Sequence, residues 1–166
     1  TMSTAGDLRR LLKESREAYT KRYGSDVRPY AVLQLTHSGR YSRPEFEQRP
    51  IVALDIPDLP FKGQVKPRVI EDDELEALED VFVNAALLAR EIGFDAVDIK
   101  SCHRYLISEL LSAEQRAGRY GGNFTNRTRF LLKTIRKIRE KGDAAPDVAV
   151  RLNAYDAIPW PHGFGV

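Results

Sequence analysis

Segments with helical spacing and short apolar runs alternate along this chain, and that order constrains the fold more than any other feature of the sequence. A helix comes first, and each long helix is followed by an apolar run. Such alternation predicts parallel strands joined by right-handed crossovers. Both a closed barrel and an open doubly wound sheet satisfy it. No Gly-x-Gly-x-x-Gly follows a predicted strand, which argues against a dinucleotide-binding Rossmann sheet.

The helices are predicted from apolar periodicity and from their end signals. They cover about 7–23, 71–92, 105–111 and 126–141. Gly24, Gly93 and Gly142 follow the three long ones, as glycine commonly does at a helix C-terminus. The acidic residues 71–74 suit the positive end of the second helix. The residues expected to face inward are Leu8, Leu11, Leu12, Tyr19, Leu75, Leu78, Phe82, Ala85, Leu88, Ile92, Leu131, Ile135 and Ile138.

The predicted strands are 30–35, 94–99 and 147–152. The first is a nearly continuous apolar run, which is typical of a strand buried on both faces. Residues 37–70 contain several prolines and no sustained periodicity, so a long loop is expected there. A connection of this length is uncommon unless it forms a functional lid or contains local structure.

Composition and charge limit the kinds of molecule that this chain is expected to bind. The formal net charge of +2 gives no reason to expect nucleic acid or an anionic membrane, and no run approaches the length of a membrane span. The single cysteine, Cys102, excludes an all-cysteine metal site and is expected to be a packed thiol; no metal is predicted. The basic residues of 126–141 surround an apolar stripe, so they are expected on a solvated helix face. Without a signal-peptide pattern, a cytoplasmic protein is expected.

Polar residues cluster where each predicted strand ends. Gln34, Thr36 and His37 follow the first strand; Lys100, Ser101, Cys102, His103 and Tyr105 follow the second; Arg151 and Asn153 follow the third. In a parallel α/β barrel, the carboxyl ends of the strands carry the chemistry. These residues therefore predict a site at one edge of the sheet. His37 precedes Ser38-Gly39-Arg40, so we expect it to form a hydrogen-bonded turn. A direct catalytic role is the alternative.

Five sequence blocks follow one another along the chain and cover most of it from about residue 30 onward. They are Gln-Leu-Thr-His-Ser-Gly-Arg at 34–40, Gly-Phe-Asp-Ala-Val-Asp-Ile at 93–99, Tyr-Leu at 105–106, Tyr-Gly-Gly-Asn at 120–123 with Asn-Arg at 126–127 and Arg-Phe at 129–130, and Val-Arg-Leu at 150–152. In content and in order these blocks resemble the old yellow enzyme family of NADH:flavin oxidoreductases, and together they are specific.

The resemblance implies an α/β fold: a partial (β/α)8 TIM barrel, about strands three to five with their helices. Residues 1–166 would then be a fragment of a single FMN-dependent barrel domain with the loop 37–70 inside it. Such barrels need about 250 residues, so this chain alone is not expected to hold FMN tightly. The implied activity is an FMN-dependent ping-pong transfer of hydride from NAD(P)H to an activated alkene, an enone or a dienoyl thioester, as a small-molecule substrate.

Site roles also follow from the resemblance. Gln34 would bind the pyrimidine end of the flavin, and Arg151 would place positive charge near flavin N1. His103 would bind the substrate carbonyl oxygen, and Tyr105 would supply a proton to the α-carbon. Lys100 stands where the family usually has histidine, so it would hold an oxyanion or a carboxylate, or contact the flavin itself.

Departures from the family pattern keep alternatives open. Besides Lys100, Arg104 replaces a usual glycine and Arg119 a usual acidic residue. Dienoyl-thioester reductases and amine dehydrogenases share this barrel. A Schiff-base lyase or aldolase could use Lys100 as its nucleophile. A non-catalytic α/β fragment would need its exposed strand edges paired in a homo-oligomer.

Overall fold

A computed structural model of the chain describes residues 2–25, 28–56 and 65–163. Its helices and strands are α1 (Met2–Tyr23), β1 (Val32–Leu35), β2 (Ile51–Val52), β3 (Arg68–Val69), α2 (Asp72–Ile92), β4 (Ala96–Ser101), α3 (Leu106–Leu111), α4 (Phe124–Arg139) and β5 (Asp147–Leu152). Single 3₁₀ turns occupy Gly39–Tyr41, Pro44–Phe46 and Gly142–Ala144. The predicted order of helices and strands is therefore confirmed.

The main sheet is parallel and has the strand order β1-β4-β5. Gln34 lies opposite Asp98 across the first pair of strands, and Lys100 lies opposite Arg151 across the second. Because paired residues of parallel strands point to the same face, Gln34, Asp98, Lys100 and Arg151 share one face of the sheet. The carboxyl ends of all three strands meet at one edge, as predicted.

In the part of the chain that the structure describes, helices pack on one face of this sheet, opposite the face that carries Gln34, Asp98, Lys100 and Arg151. Leu35, Val97 and Ile99 point into the core formed with α2, α3 and α4. On the opposite face Val32 is 46% exposed, and Gln34 is also exposed. The prediction that the first strand is buried on both faces is wrong for this chain, because the alternate residues of β1 face away from the helices.

Local signals explain where the helices begin and end. Glu71 and Glu74 form a capping box at the start of α2, and Gly93 ends that helix with φ 115°. The side chain of Asn123 accepts the N–H of Asn126 at 3.0 Å, so α4 begins earlier than the apolar stripe predicted.

Most of the residues predicted to face inward do so. Leu12, Leu75, Phe82, Ile92, Leu131 and Ile138 are buried, and Leu8, Leu78, Ala85 and Ile135 are partly buried against the same core. The prediction is wrong for Leu11 and Leu88, which are 60% and 43% exposed, because the part of each helix that meets its neighbours is narrower than the apolar stripe. Cys102 is 1% exposed, which confirms a packed thiol.

The segment 37–70 contains more structure than the predicted loop. Besides two 3₁₀ turns, it forms a small parallel sheet in which Ile51 pairs with Arg68 and Val52 with Val69. Elements of two or three residues are too short to produce a periodic signal. Residues 57–64, with Pro57 and Pro60, lie outside the described residues.

The basic face of α4 lies partly against α2. Lys133 bonds Glu76 at 3.2 Å, and Lys137 bonds Asp80 at 2.8 Å. These cations therefore already have acidic partners within the fold. Among the described residues, none of the helices combines the length and apolar character needed to cross a bilayer.

Candidate functional site

Three polar side chains meet on the open face of the sheet, one from each strand. The Nε2 of Gln34 donates to Oδ2 of Asp98 at 2.9 Å. The same Oδ2 lies 3.0 Å from Nη2 of Arg151. Asp98 is 6% exposed, whereas the Arg151 side chain is 57% exposed. A buried carboxylate therefore orients both an amide and a guanidinium that reach toward the open face.

Asp98 was not among the predicted site residues, although a signal for it exists. It lies two positions before Lys100 in β4, and side chains two apart in a strand point to the same face. An acidic residue in the middle of an apolar run, on the face shared with Lys100, is the pattern that identifies it.

A second group forms where β4 leads into α3. The Nζ of Lys100 lies 3.6 Å from the centroid of the Tyr105 ring, close enough for a cation–π interaction. The ring of Tyr41, from the turn after β1, packs against Tyr105 with centroids 5.5 Å apart. Tyr41 was not predicted either, because its approach depends on how the segment after β1 folds back.

His103 lies in the turn between β4 and α3 and is exposed. Its backbone N–H donates to Oδ1 of Asn153 at 3.3 Å, which joins the ends of β4 and β5. Within the described residues, no side-chain hydrogen bond or ion pair connects His103 to Lys100 or Tyr105. The structure thus brings Lys100 and Tyr105 together directly and places His103 at the same edge, beside β5.

His37 forms the hydrogen-bonded turn that the sequence predicted. Its Nδ1 accepts the N–H of Gly39 at 3.1 Å, and its carbonyl accepts the N–H of Leu106 at 3.3 Å. Burial lowers the pKa of His37, which favours the neutral ring that can accept at Nδ1. Gly39 has φ 59°, and a Cβ there would lie 2.7 Å from the Leu106 nitrogen, so only glycine fits this close approach.

A buried ion pair fixes the segment after β1 to α3. Arg40 pairs with Glu109, and both side chains are almost fully buried. The Oε2 of Glu109 also accepts the N–H of Ala53 at 3.0 Å, while Nη1 of Arg116 donates to the carbonyl of Ala53 at 2.7 Å. Burial raises the pKa of the Glu109 carboxyl, and Arg40 and the Ala53 N–H oppose that rise. These contacts hold the turn that carries Tyr41.

The Tyr-Gly-Gly block at 120–122 has a structural role between α2 and α4. The Tyr120 hydroxyl donates to Oε1 of the fully buried Glu79 at 2.7 Å. A Cβ at Gly121 would overlap the backbone and side chain of Arg116. The block therefore packs the helices on the covered face and does not reach the open face.

Known proteins resemble this chain in both sequence and structure. The family model described as "NADH:flavin oxidoreductase / NADH oxidase family" matches residues 25–162. The chain is 38% identical over 133 residues to the putative 12-oxophytodienoate reductase 2 of Oryza sativa subsp. japonica, covering 75% of this chain and 35% of that protein. It is 33% identical over 139 residues to an NADPH dehydrogenase of Clostridium acetobutylicum, covering 82% of this chain and 39% of the relative.

The fold matches as well. Histamine dehydrogenase from Rhizobium sp. 4-9 superposes with a TM-score of 0.71 at 25% identity, over 91% of this chain and 21% of the other. The likeness confirms the predicted α/β fold, part of a (β/α)8 barrel. The chain spans between a third and two fifths of the two curated relatives described above. Because the family model matches most of the chain, residues 25–162, this protein belongs to the NADH:flavin oxidoreductase / NADH oxidase family.

Proposed function

We propose that this chain contributes the middle of a single FMN-dependent (β/α)8 barrel that takes hydride from NAD(P)H and delivers it to an activated alkene, an enone or a dienoyl thioester. Family membership supports an oxidoreductase that uses FMN and NAD(P)H. The observation that carries the proposal is the grouping of Gln34, Asp98 and Arg151 on the open face, next to Lys100 and Tyr105.

The polar groups on the open face fit the pyrimidine end of FMN. That end presents an N–H between two carbonyl oxygens, and the Gln34 amide offers both a donor and an acceptor. Arg151 offers donors and a fixed positive charge, and Asp98 holds it in place at 3.0 Å. When bound, FMN would supply the hydride-transfer chemistry between the nicotinamide and the second substrate. Gln34 and Arg151 would bind and orient the ring.

Lys100, His103 and Tyr105 would serve the second substrate. The Lys100 ammonium and the His103 ring would donate to the substrate oxygen, where negative charge develops during reduction of an enone or thioester. The Tyr105 hydroxyl would give a proton to the α-carbon, since a phenol keeps its proton at neutral pH. Lys100 and Tyr41 both contact the Tyr105 ring, and these contacts would limit the directions in which its hydroxyl can point.

Family membership does not favour a Schiff-base lyase that uses Lys100, or a non-catalytic fragment. β1 and β5 are the outer strands of the described sheet, and we propose that further strands of the same barrel pair with them. Sedimentation of the isolated chain tests the competing arrangement, a homo-oligomer joined at these edges.

Replacing Tyr105 with phenylalanine tests the assignment of roles. In the flavin-loaded enzyme, Tyr105→Phe is expected to slow oxidation of the reduced enzyme by an enone about 10²-fold or more, which is the usual contribution of a general acid. Reduction by NAD(P)H is expected to stay within about twofold of wild type, because no proton from Tyr105 enters that half-reaction.

Tyr41→Phe is the matched control, since it keeps the aromatic contact with Tyr105 and removes only a neighbouring hydroxyl. Stopped-flow measurement of the two half-reactions separates the outcomes. An oxidative half-reaction that proceeds at the wild-type rate in Tyr105→Phe would contradict the role given to this hydroxyl.

A further inference from the structure

The turn between β4 and α3 has a backbone that suits glycine but contains none. His103 and Arg104 have φ values of 60° and 57°, in the left-handed region. Residues with a Cβ reach this region at a cost in free energy, and two in succession are uncommon. Such a conformation persists when surrounding contacts hold it in place.

The contacts that hold this turn come mainly from one side chain. The Nη1 of Arg104 donates to Oγ of Ser112 at 3.1 Å, to Oδ2 of Asp156 at 3.2 Å and to the carbonyl oxygen of His162 at 3.2 Å. Ser112 caps the end of α3, whereas Asp156 and His162 belong to the segment after β5. Arg104 thus joins three parts of the chain at the carboxyl edge of the sheet.

The segment after β5, residues 153–163, is folded on itself around this anchor. The Oδ1 of Asp156 accepts the N–H of Ile158 at 3.1 Å, and the N–H of His162 donates to the carbonyl of Pro159 at 3.0 Å. Asn153 adds a second tie, to the backbone of His103. Tyr155 and Trp160 remain 61% and 74% exposed, so the anchoring polar contacts, and not apolar burial of these rings, fix the segment.

Two features of Arg104 lower the stability of the fold. Its Nε and Nη2 are buried without a hydrogen-bond partner among the described residues, and buried unpaired donors are costly. Its backbone conformation adds strain that glycine would avoid. Against these costs stand the three contacts of Nη1, two of which reach the segment 153–163.

We propose that Arg104 is a positioning residue, which holds residues 153–163 against the turn that carries His103 and Tyr105 and thereby sets the size of the substrate that reaches this edge. The anchoring follows from the contacts of Arg104 itself. The effect on substrate size rests on the proposed function.

Hydrogen exchange followed by mass spectrometry tests the anchoring directly. In Arg104→Gly the strained φ is relieved and the guanidinium is lost, so exchange in peptides covering 153–163 is expected to accelerate about tenfold or more, while protection of β4 stays unchanged. Arg104→Lys keeps a charge near Asp156 but cannot reach three acceptors. Its exchange rate at 153–163 is therefore expected to lie between those of wild type and Arg104→Gly.

His103→Gly is the matched control, because it relaxes the neighbouring residue of the same turn and leaves the Arg104 side chain in place. Its exchange at 153–163 is expected to equal that of wild type. Unchanged exchange at 153–163 in Arg104→Gly would overturn the proposal. If Arg104→Gly loses protection throughout β4 as well, Asp156→Asn decides: faster exchange confined to 153–163 supports the anchor, and wild-type exchange there overturns it.

Steady-state kinetics of the flavin-loaded enzyme test the consequence for substrates. Arg104→Gly is expected to change the ratio of kcat/KM between a bulky and a small enone by about fivefold or more, with NAD(P)H reduction unaffected. If this ratio of kcat/KM is unchanged while exchange at 153–163 is faster, the role in substrate size is overturned. The role of Arg104 in holding residues 153–163 is then still supported. Absence of hydride transfer in the wild-type enzyme would instead contradict the proposed function, and the exchange result would still stand.

Discussion

Gln34 and Arg151, on the two outer strands of the sheet, both contact one oxygen of Asp98: Gln34 Nε2 lies 2.9 Å and Arg151 Nη2 3.0 Å from its Oδ2. Asp98 is buried between them in β4. One carboxylate therefore contacts both residues proposed to bind the flavin, across all three strands. The arrangement predicts that Asp98 affects cofactor affinity without touching the cofactor.

Asp98→Asn is expected to weaken FMN binding about 10- to 100-fold, because the charge that orients Arg151 is lost and a charged hydrogen bond contributes about 1.5–3 kcal/mol. Fluorescence titration with FMN of the complete apoenzyme, the barrel that contains this chain, measures the change. Asp147→Asn is the control: Asp147 accepts from the Tyr30 hydroxyl at the opposite end of the sheet, and its removal is expected to leave FMN affinity unchanged. Equal affinity in the Asp98 variant would contradict the orienting role.

Alanine substitutions at Gly39 and Gly142 can be compared to measure how closely the turn after β1 packs against α3. Their φ values are nearly equal, 59° and 57°, but a Cβ at Gly39 would meet the Leu106 backbone whereas one at Gly142 would meet nothing within 4 Å. Gly142→Ala is expected to cost about 1 kcal/mol of conformational strain, and Gly39→Ala at least about 1 kcal/mol more from overlap. Chemical denaturation measures the free energy of unfolding of both variants. Equal losses would show that the contact with Leu106 does not restrict the residue at position 39.

Glu79 is the centre of the contact between α2 and α4. Its Oε1 accepts the Tyr120 hydroxyl at 2.7 Å, and its Oε2 lies 3.3 and 2.9 Å from Nζ of Lys133 and Lys137. Burial of Tyr120 and its hydrogen bond to Glu79 raise the pKa of the phenol, so the hydroxyl remains a donor at all ordinary pH values.

Glu79→Gln is expected to lower the free energy of unfolding by about 1–3 kcal/mol, because the two lysines lose a buried anion. The Lys137 side chain also pairs with Asp80, which is 67% exposed, and Asp80→Asn is expected to change stability little. Urea denaturation of both variants provides the comparison. Equal losses would mean that burial of Glu79 adds nothing to its interaction with Lys137.

The carboxylate of Asp95 is expected to contribute to stability in a way that depends on pH. Burial opposes ionisation of Asp95, but the Ala31 N–H and the guanidinium groups of Arg28 and Arg16 outweigh it and hold its pKa below the ordinary value. A carboxyl with a lowered pKa in the folded state stabilises the fold fully above its unfolded pKa of about 3.9, and loses that effect as pH falls through the folded pKa.

Asp95→Asn is therefore expected to cost about 1–3 kcal/mol near neutral pH, and the difference from wild type is expected to shrink in acid. Denaturation at a series of pH values from neutral to acid measures it. A difference that stays constant below the ordinary aspartate pKa would show that the ionised carboxylate is not what stabilises this end of β4.

The sequence predicts the sheet and its polar edge because both follow from local patterns. Apolar runs after amphipathic helices imply parallel strands, and parallel strands bring the ends that carry Gln34, Lys100 and Arg151 to the same edge. That these side chains also share a face follows from the register, in which Lys100 lies opposite Arg151. Which of these residues bind the flavin or the substrate stays a prediction.

Other parts of the site depend on pairings distant in sequence. Arg40 with Glu109 and Arg104 with Asp156 leave no trace in spacing or periodicity. The left-handed turn at His103 and Arg104 contains no glycine that would indicate it. β2 and β3 are two residues each, too short for an alternating pattern.

The most direct test of the central claim is anaerobic stopped-flow spectroscopy of the flavin-loaded enzyme. NADH or NADPH is expected to bleach the flavin absorbance, and addition of an enone or a dienoyl thioester is expected to restore it with loss of the alkene. If the complete barrel that contains this chain is purified and binds no FMN, or if NADH and NADPH leave the absorbance of its bound FMN unchanged, the account is contradicted.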